Sequence, residues 1–352
     1  MALRITYLAP RLELGGGSKV LVQHAHLLAE RGHKVTLVGE GPAPDWLSLE
    51  VPYHDSSRSW PKLPTQDLVI ATFWTTIARA LAWGNGPVAH FCQGYEGGLE
   101  HLASQLPEIE AAYAQPLPAL VVSPHLGEFL EERFGRPSEW APPVVDPLFV
   151  PIARFGPGRR PTVVVPGIYE AAVKNVPTAL QAVLKLRKRG LPVRLVRFSA
   201  LPITAEERAT VLPDRYFHHV TPAEVAQELR GADLMIAPSR AAEGFGLPLL
   251  EAFASGVPAV ASRIPSTLGY AASAATLVDS ESSEAFADEA ERLLRDRRAW
   301  RRARLAGQQI AEHFSAAAVG PQLEQAVVWA AETAAAGVAM VEKKAPRAAK
   351  KR

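Results

Sequence analysis

The sequence predicts an α/β protein of two doubly wound, Rossmann-like domains that face each other across a cleft. Three observations carry this expectation. The chain has 352 residues, more than twice the usual length of one domain. It opens with a strand, a glycine-rich turn, a helix and a second strand, which is how a parallel α/β sheet begins. After a stretch dense in proline and glycine near residues 141–161, the same pattern starts again.

In chain order, LRITYLA (3–9) is a short β-like run and GGGSK follows it. VLVQHAHLLAERGH then repeats its apolar residues at helical spacing until Gly32. KVTLVG reads as the second strand, and DLVIATF (67–73), PVAHFCQ (87–93) and ALVVS (119–123) as three more, with helical stretches between them. In APPVVDPLFVPIARFGPGRRP (141–161) the prolines lack the N–H that a helix interior or a central strand requires. The domain boundary is therefore expected there. Beyond it PTVVVPG, PVRLVRFSA and DLMIAP read as strands, VPTALQAVLKLRKRG and PAEVAQELRGA as helices. Residues 284–313 are helical and strongly charged, and an alanine-rich helix covers about 315–341. The expected units are residues 1–152, residues 153–314, the helix 315–341 and a basic tail 342–352. Ligands of such sheets bind beyond the carboxyl ends of the strands, so the cleft is the expected site.

Composition removes several classes. With 48% hydrophobic and 21% charged residues the chain can build a real core. No apolar run approaches the eighteen or so residues of a membrane span, and MALRITYLAP lacks the apolar stretch of a secretory signal, so the expected location is the cytoplasm. The single cysteine, Cys92, can form neither an internal disulfide nor a thiolate cluster and reads as a small core residue. The net charge is +2, of which residues 342–352 contribute +5, so the rest carries −3. That body has no general electrostatic case for nucleic acid. The tail is expected to be solvated, with weak contact to anionic headgroups at the inner face of a membrane as the alternative.

The most informative stretch is SRAAEGFGLPLLEAFASGVPAVAS (239–262). A strand ends at Pro238, a loop holds Glu243, Gly244, Phe245 and Gly246, and Pro248 occupies a favoured first-turn position of a helix that stops before Gly256. Free N–H groups and the positive end of the helix dipole attract phosphate there, and glycines let a ligand approach the main chain. A carboxylate in the loop, Glu243, can accept from sugar hydroxyls or balance positive charge developing at a reacting carbon. One in the helix, Glu251, can take both hydroxyls of a ribose. Taken singly, each is as readily an acid favoured by the helix N-terminus.

Glu243-Gly244-Phe245-Gly246-Leu247-Pro248-Leu249-Leu250-Glu251, followed by AFASGVPAVAS, is similar to the E-x7-E signature of retaining nucleotide-sugar glycosyltransferases of the fourth family, which have the GT-B fold. GGGSKVLVQHAHLLAERGHKV resembles that family's N-terminal loop and helix, VVDPLFVP its interdomain segment, and ADLMIAPS the strand before the signature. The resemblance implies an acceptor-side first domain, a donor-binding second domain, and a C-terminal helix packing back toward the first. It implies that Glu251 binds the donor ribose and that Glu243 lies beside the donor sugar. The N–H groups of Phe245, Gly246 and Leu247 would face sugar or diphosphate, and Lys174 in GIYEAAVKN would hold the diphosphate. Gly16 and Gly17 would touch the donor phosphates or the acceptor from across the cleft.

The chain departs from the family pattern in three places. Ile168 stands where many members have an arginine beside the lysine, with Arg240 and Arg197 as candidate replacements. One extra residue lies between Ser239 and Glu243. HFCQGYE (90–96) offers Gln93 where a histidine is frequent, which makes Gln93, Tyr95 and Glu96 candidate sugar or acceptor contacts, while His90 reads as packed. Trp46, Trp60, Trp74 and Trp83 offer an aromatic platform or ordinary core packing. No cofactor or metal is expected, since no Asp-x-Asp pair occurs in a suitable loop and no histidine cluster occurs at all.

The expected activity is therefore transfer of a sugar, with retention of configuration, from a nucleoside diphosphate to a hydroxyl of a glycan, glycolipid or polysaccharide precursor. Two alternatives stay open: a catalytically silent GT-B protein that binds nucleotide sugar or glycan, and a nucleotide-sugar epimerase. A dinucleotide oxidoreductase is disfavoured because GGGSK lacks the G-x-G-x-x-G spacing.

Overall fold

A computed structural model describes the backbone of residues 2–344 and the side chains as far as residue 337. The first sheet contains β1 (Arg4–Leu8), β2 (Lys34–Gly39), β3 (Tyr53–Asp55), β4 (Leu68–Ala71), β5 (Val88–Cys92), β6 (Ala119–Val121) and β7 (Ser138–Trp140). The second contains β8 (Thr162–Pro166), β9 (Arg194–Ser199), β10 (Arg215–His218), β11 (Leu234–Ala237), β12 (Ala259–Ser262) and β13 (Thr276–Val278). Both are parallel throughout, in the orders β3-β2-β1-β4-β5-β6-β7 and β10-β9-β8-β11-β12-β13. Each order reverses direction beside its first strand, which opens a crevice at the carboxyl end of β1 and of β8.

Strands covered by helices on both faces are buried at every position, as β4 and β5 are here, and so read in sequence as continuous apolar runs. The edge strands β3, β7 and β10 are half exposed and carry no such run. Residues 141–161 contain no helix or strand and join the two sheets. The charged stretch expected to be helical over 284–313 is two helices, Ser283–Arg295 and Arg297–Glu312. Asp296 separates them, its carboxylate accepting from the N–H of Arg298 at 2.8 Å and of Ala299 at 3.0 Å.

The last helix, expected over 315–341, is Ala316–Lys344, and it returns to the first domain, packing against β4, β5, β6, β7 and the helix Gly16–Glu30. Arg31 Nε donates to Glu324 at 2.8 Å, and the carbonyl of Phe314, just ahead of this helix, accepts from the N–H of Val145 at 2.7 Å. The chain thus passes from the first sheet to the second and back. The basic tail from residue 345 onward lies outside the described residues. No described helix is long and apolar enough to cross a membrane.

Candidate active site

Between the two sheets lies a cavity of about 360 Å³ lined by both domains. From the first domain come Gly15, Gly16, Gly17, Lys19, Trp46 and Gln93; from the second come Gly167, Ile168, Lys174, Glu243, Phe245, Gly246, Leu247 and Glu251. The glycine loop leaves the carboxyl end of β1 and runs into the helix Gly16–Glu30, while Gly167 and Lys174 follow β8. The signature loop follows β11 and enters the helix Leu247–Ala254.

That loop is held from several sides. Gly246 caps the helix at φ +87°, a left-handed conformation that a side chain resists. A Cβ on Gly244 would fall inside the carbonyl of Gln93, so the backbones of the two domains touch there and glycine is required by space rather than by φ. Ser123 at the end of the first domain's β6 segment donates to the Gly244 carbonyl at 2.7 Å. The Phe245 ring stacks on Tyr270 at 4.4 Å between centroids, and Phe314 packs edge-on against both. With its ring so engaged, Phe245 contributes main chain to the cavity and its side chain to the support of the loop.

The charged groups form two pairs. Lys174 Nζ donates to Glu243 Oε2 at 2.6 Å, and Ser239 Oγ donates to the same oxygen at 3.0 Å. Lys19 Nζ donates to Glu251 Oε1 at 2.8 Å across the cleft, with Asp146 at 3.6 Å. Both carboxylates are largely buried, and a buried carboxylate needs a partner. Among the described residues no three His, Cys, Asp or Glu side chains gather in a way that could hold a metal ion.

Of the residues singled out in the sequence, the structure brings Gly16, Gly17, Gln93, Lys174, Glu243, Phe245, Gly246, Leu247 and Glu251 to one cavity. It takes four others elsewhere. Arg197 is fully buried beneath the β8 loop, where it pairs with Glu207 at 2.6 Å and donates to the carbonyls of Val165 at 2.6 Å and Gly167 at 2.9 Å. Its guanidinium supports the loop that carries Ile168 and does not face the cavity. Arg240 pairs in solvent with Glu281 at 2.8 Å and donates to the Ala172 carbonyl at 3.0 Å. Tyr95 packs among Tyr113, Phe129 and Phe134 and donates to Glu110. Glu96 is buried behind the same loop, accepts from the Tyr113 hydroxyl, and burial pushes its carboxyl up to about 7.

His90 is fully buried, and burial drives its imidazole well below the ordinary histidine range. Cys92 is buried, with its thiol pushed up to about 12 by burial. Trp60 stacks on Trp83 away from the cavity, whereas Trp46 lines it and donates to the Leu12 carbonyl at 3.2 Å. Sequence reasoning passed over Lys19, Asp146 and Ser123. Lys19 had a signal: a lysine in the first turns of a helix opposes the dipole and asks for an acidic partner.

Residues 160–296, most of the second domain, match the family described as Glycosyl transferases group 1. The second domain is thus similar to group 1 glycosyltransferase domains, and the two parallel sheets of the whole chain have the GT-B architecture. The fold is shared with Anabaena HepE in complex with UDP and glucose, at 16% identity and a TM-score of 0.76 over 93% of this chain and 99% of that one. Sucrose-phosphate synthase from Thermosynechococcus elongatus is similar at 16% identity and a TM-score of 0.73, covering 92% of this chain and 98% of that one. A glycosyltransferase from Rickettsia africae gives 13% identity and a TM-score of 0.70, over 92% and 97%. No curated protein matches the sequence.

Proposed function

We propose that the protein transfers a sugar from a nucleoside diphosphate donor to an acceptor hydroxyl with retention of configuration, with the second domain holding the donor and the first the acceptor. The observation that carries this reading is the Lys174–Glu243 pair at 2.6 Å beside the N-terminus of the helix Leu247–Ala254, with Glu251 further along that helix, all on one cavity. Departure of a diphosphate from an oxocarbenium-like centre calls for cations and N–H donors at the leaving oxygens. Lys174 and the free N–H groups at the helix start supply them. Glu243 holds the Lys174 ammonium in place beside the donor sugar, and Glu251 takes the ribose. The HepE complexes with UDP-glucose and with UDP and glucose, sharing this architecture, support a nucleotide-sugar donor.

One observation favours a second reading. Ile168 lines the cavity, and neither Arg197 nor Arg240 points into it. A site with one fewer cation on the diphosphate suits a protein that binds nucleotide sugar without turning it over. Incubating the purified protein with ADP-, GDP- and UDP-sugars and measuring released nucleoside diphosphate separates the two. Slow hydrolysis is expected of a transferase; binding without release would favour the silent binder. Glu251→Ala should weaken nucleotide binding by about tenfold or more, and unchanged affinity would refute the ribose assignment.

A further inference from the structure

Lys19 has no role in the reading above. Its position four residues into the helix Gly16–Glu30 opposes the dipole, and only 7% of its side chain is exposed. Three groups hold its ammonium: Glu251 Oε1 at 2.8 Å, Asp146 Oδ2 at 3.6 Å, and the Phe149 ring with its centroid at 4.5 Å. Asp146 and Phe149 keep the charge in place even if Glu251 takes another partner. Glu251, for its part, lines the cavity with Oε1 on Lys19 and makes no hydrogen bond through Oε2 among the described residues.

We propose that Lys19 and Glu251 together form a cross-cleft seat for the vicinal diol of the donor's ribose. The 3′-hydroxyl donates to Glu251 Oε2, and the Lys19 ammonium donates to the oxygen of the 2′-hydroxyl. The inference rests on the nucleotide-sugar reading of the cleft. A hydroxyl both donates and accepts, a carboxylate only accepts and an ammonium only donates, so the pair answers a diol from both sides. Because its two members come from different domains, the ribose is fully recognised only when the cleft is closed. A nucleotide that lacks the 2′-hydroxyl leaves part of the seat unanswered.

Calorimetric titration of ADP, GDP and UDP identifies the tightest of the three, and its 2′-deoxy counterpart is then titrated alongside it. The wild type should prefer the ribonucleotide by about tenfold, the value of one charge-assisted hydrogen bond. Lys19→Met should bring that preference below about twofold, and Lys19→Arg should restore part of it. Lys174→Ala should weaken both nucleotides and leave the ratio unchanged. Lys19→Gln, uncharged but polar and of similar reach, is measured in parallel so that a folding failure of the methionine variant does not decide the outcome. A folded, uncharged variant that keeps the tenfold preference overturns the inference while the donor reading stands. So does one that binds the ribonucleotide more tightly, which would make Lys19 a competitor of the ribose, and so does a wild type without preference. If the wild type binds none of the three nucleotides, the donor reading itself fails and the inference falls with it.

Discussion

Lys174 and Arg197 lie against the same turn after β8 and have opposite surroundings. Arg197 is sealed, at 0% side-chain exposure, with Glu207 and backbone carbonyls taking its donors. Lys174 is one-third exposed, opens onto the cavity, and leans on a single carboxylate that also accepts from Ser239. A cation whose donors are all taken by the protein holds structure; one with donors to spare is available to a ligand. Charge alone does not distinguish the two, and neither does nearness in the fold.

The largest effect is expected at Arg197. Arg197→Met leaves Glu207 buried without its counter-ion and should cost about 3–5 kcal/mol of stability, measured by urea unfolding. Replacing both partners with apolar residues should recover much of that loss, because the unpaired charge is then gone. A stable Arg197→Met protein with reduced nucleotide affinity would instead make this arginine a ligand contact.

Lys174→Ala should show the reverse pattern. Turnover is expected to fall by about a hundredfold to a thousandfold, the usual cost of removing one preorganised charge from a leaving group. The unfolding midpoint should fall by less than in Arg197→Met, because Glu243 loses its cation but keeps the Ser239 hydroxyl and some access to water. Near-normal turnover would mean that another group carries the diphosphate.

Glu96 is the acidic counterpart of a sealed charge, but without a cation bonded to it. It accepts from the Tyr113 hydroxyl, and burial raises its folded-state value to about 7 from an ordinary 4.5. Between those two values the folded chain keeps a proton that the unfolded chain has released. Stability should therefore fall as pH rises through that window, and the loss is complete above about 7. Glu96→Gln removes the penalty. Its advantage over the wild type should grow from pH 5 to 7 and then level off, on the order of 2 kcal/mol. A pH-independent difference would show that Glu96 titrates normally.

What was legible in the sequence follows from the same distinction between covered and open positions. The central strands announce themselves because both faces are buried; the three-residue edges β3, β7 and β13 and the half-exposed β10 carry no apolar run to read. The signature loop was legible because glycine, proline and glutamate there answer to backbone geometry within a few residues. The partnership of Lys19 with Glu251 was not, since 232 positions separate them and only the docking of two domains brings them together. Tyr95 and Glu96 misled for a related reason. They follow the end of β5 closely, yet the chain turns into a short helix at Glu96–Gly98 that sends Glu96 into the first domain's interior and lays the half-buried Tyr95 against Tyr113, Phe129 and Phe134.

Arg240 offers the smallest effect and a clean decision. It stands close to the site in sequence, and its main-chain N–H donates to the Val173 carbonyl at 2.8 Å. Its guanidinium, however, is turned outward onto Glu281, in a pair where both partners are well exposed. Exposed pairs of this kind contribute about 0.2–1 kcal/mol, and the bond to the Ala172 carbonyl adds a comparable amount at most. Arg240→Ala should therefore lower stability by less than about 2 kcal/mol. It should reduce turnover by less than about fivefold, through a slightly looser turn around Lys174. If turnover fell as far as in Lys174→Ala, the side chain must swing from Glu281 into the cavity when the diphosphate arrives, and Arg240 would then supply the second cation that Ile168 does not. Salt separates these outcomes further. A surface pair is screened between 50 mM and 500 mM ionic strength, so any contribution of Arg240 made through Glu281 should fade over that range, whereas a contact formed inside the closed cleft should persist.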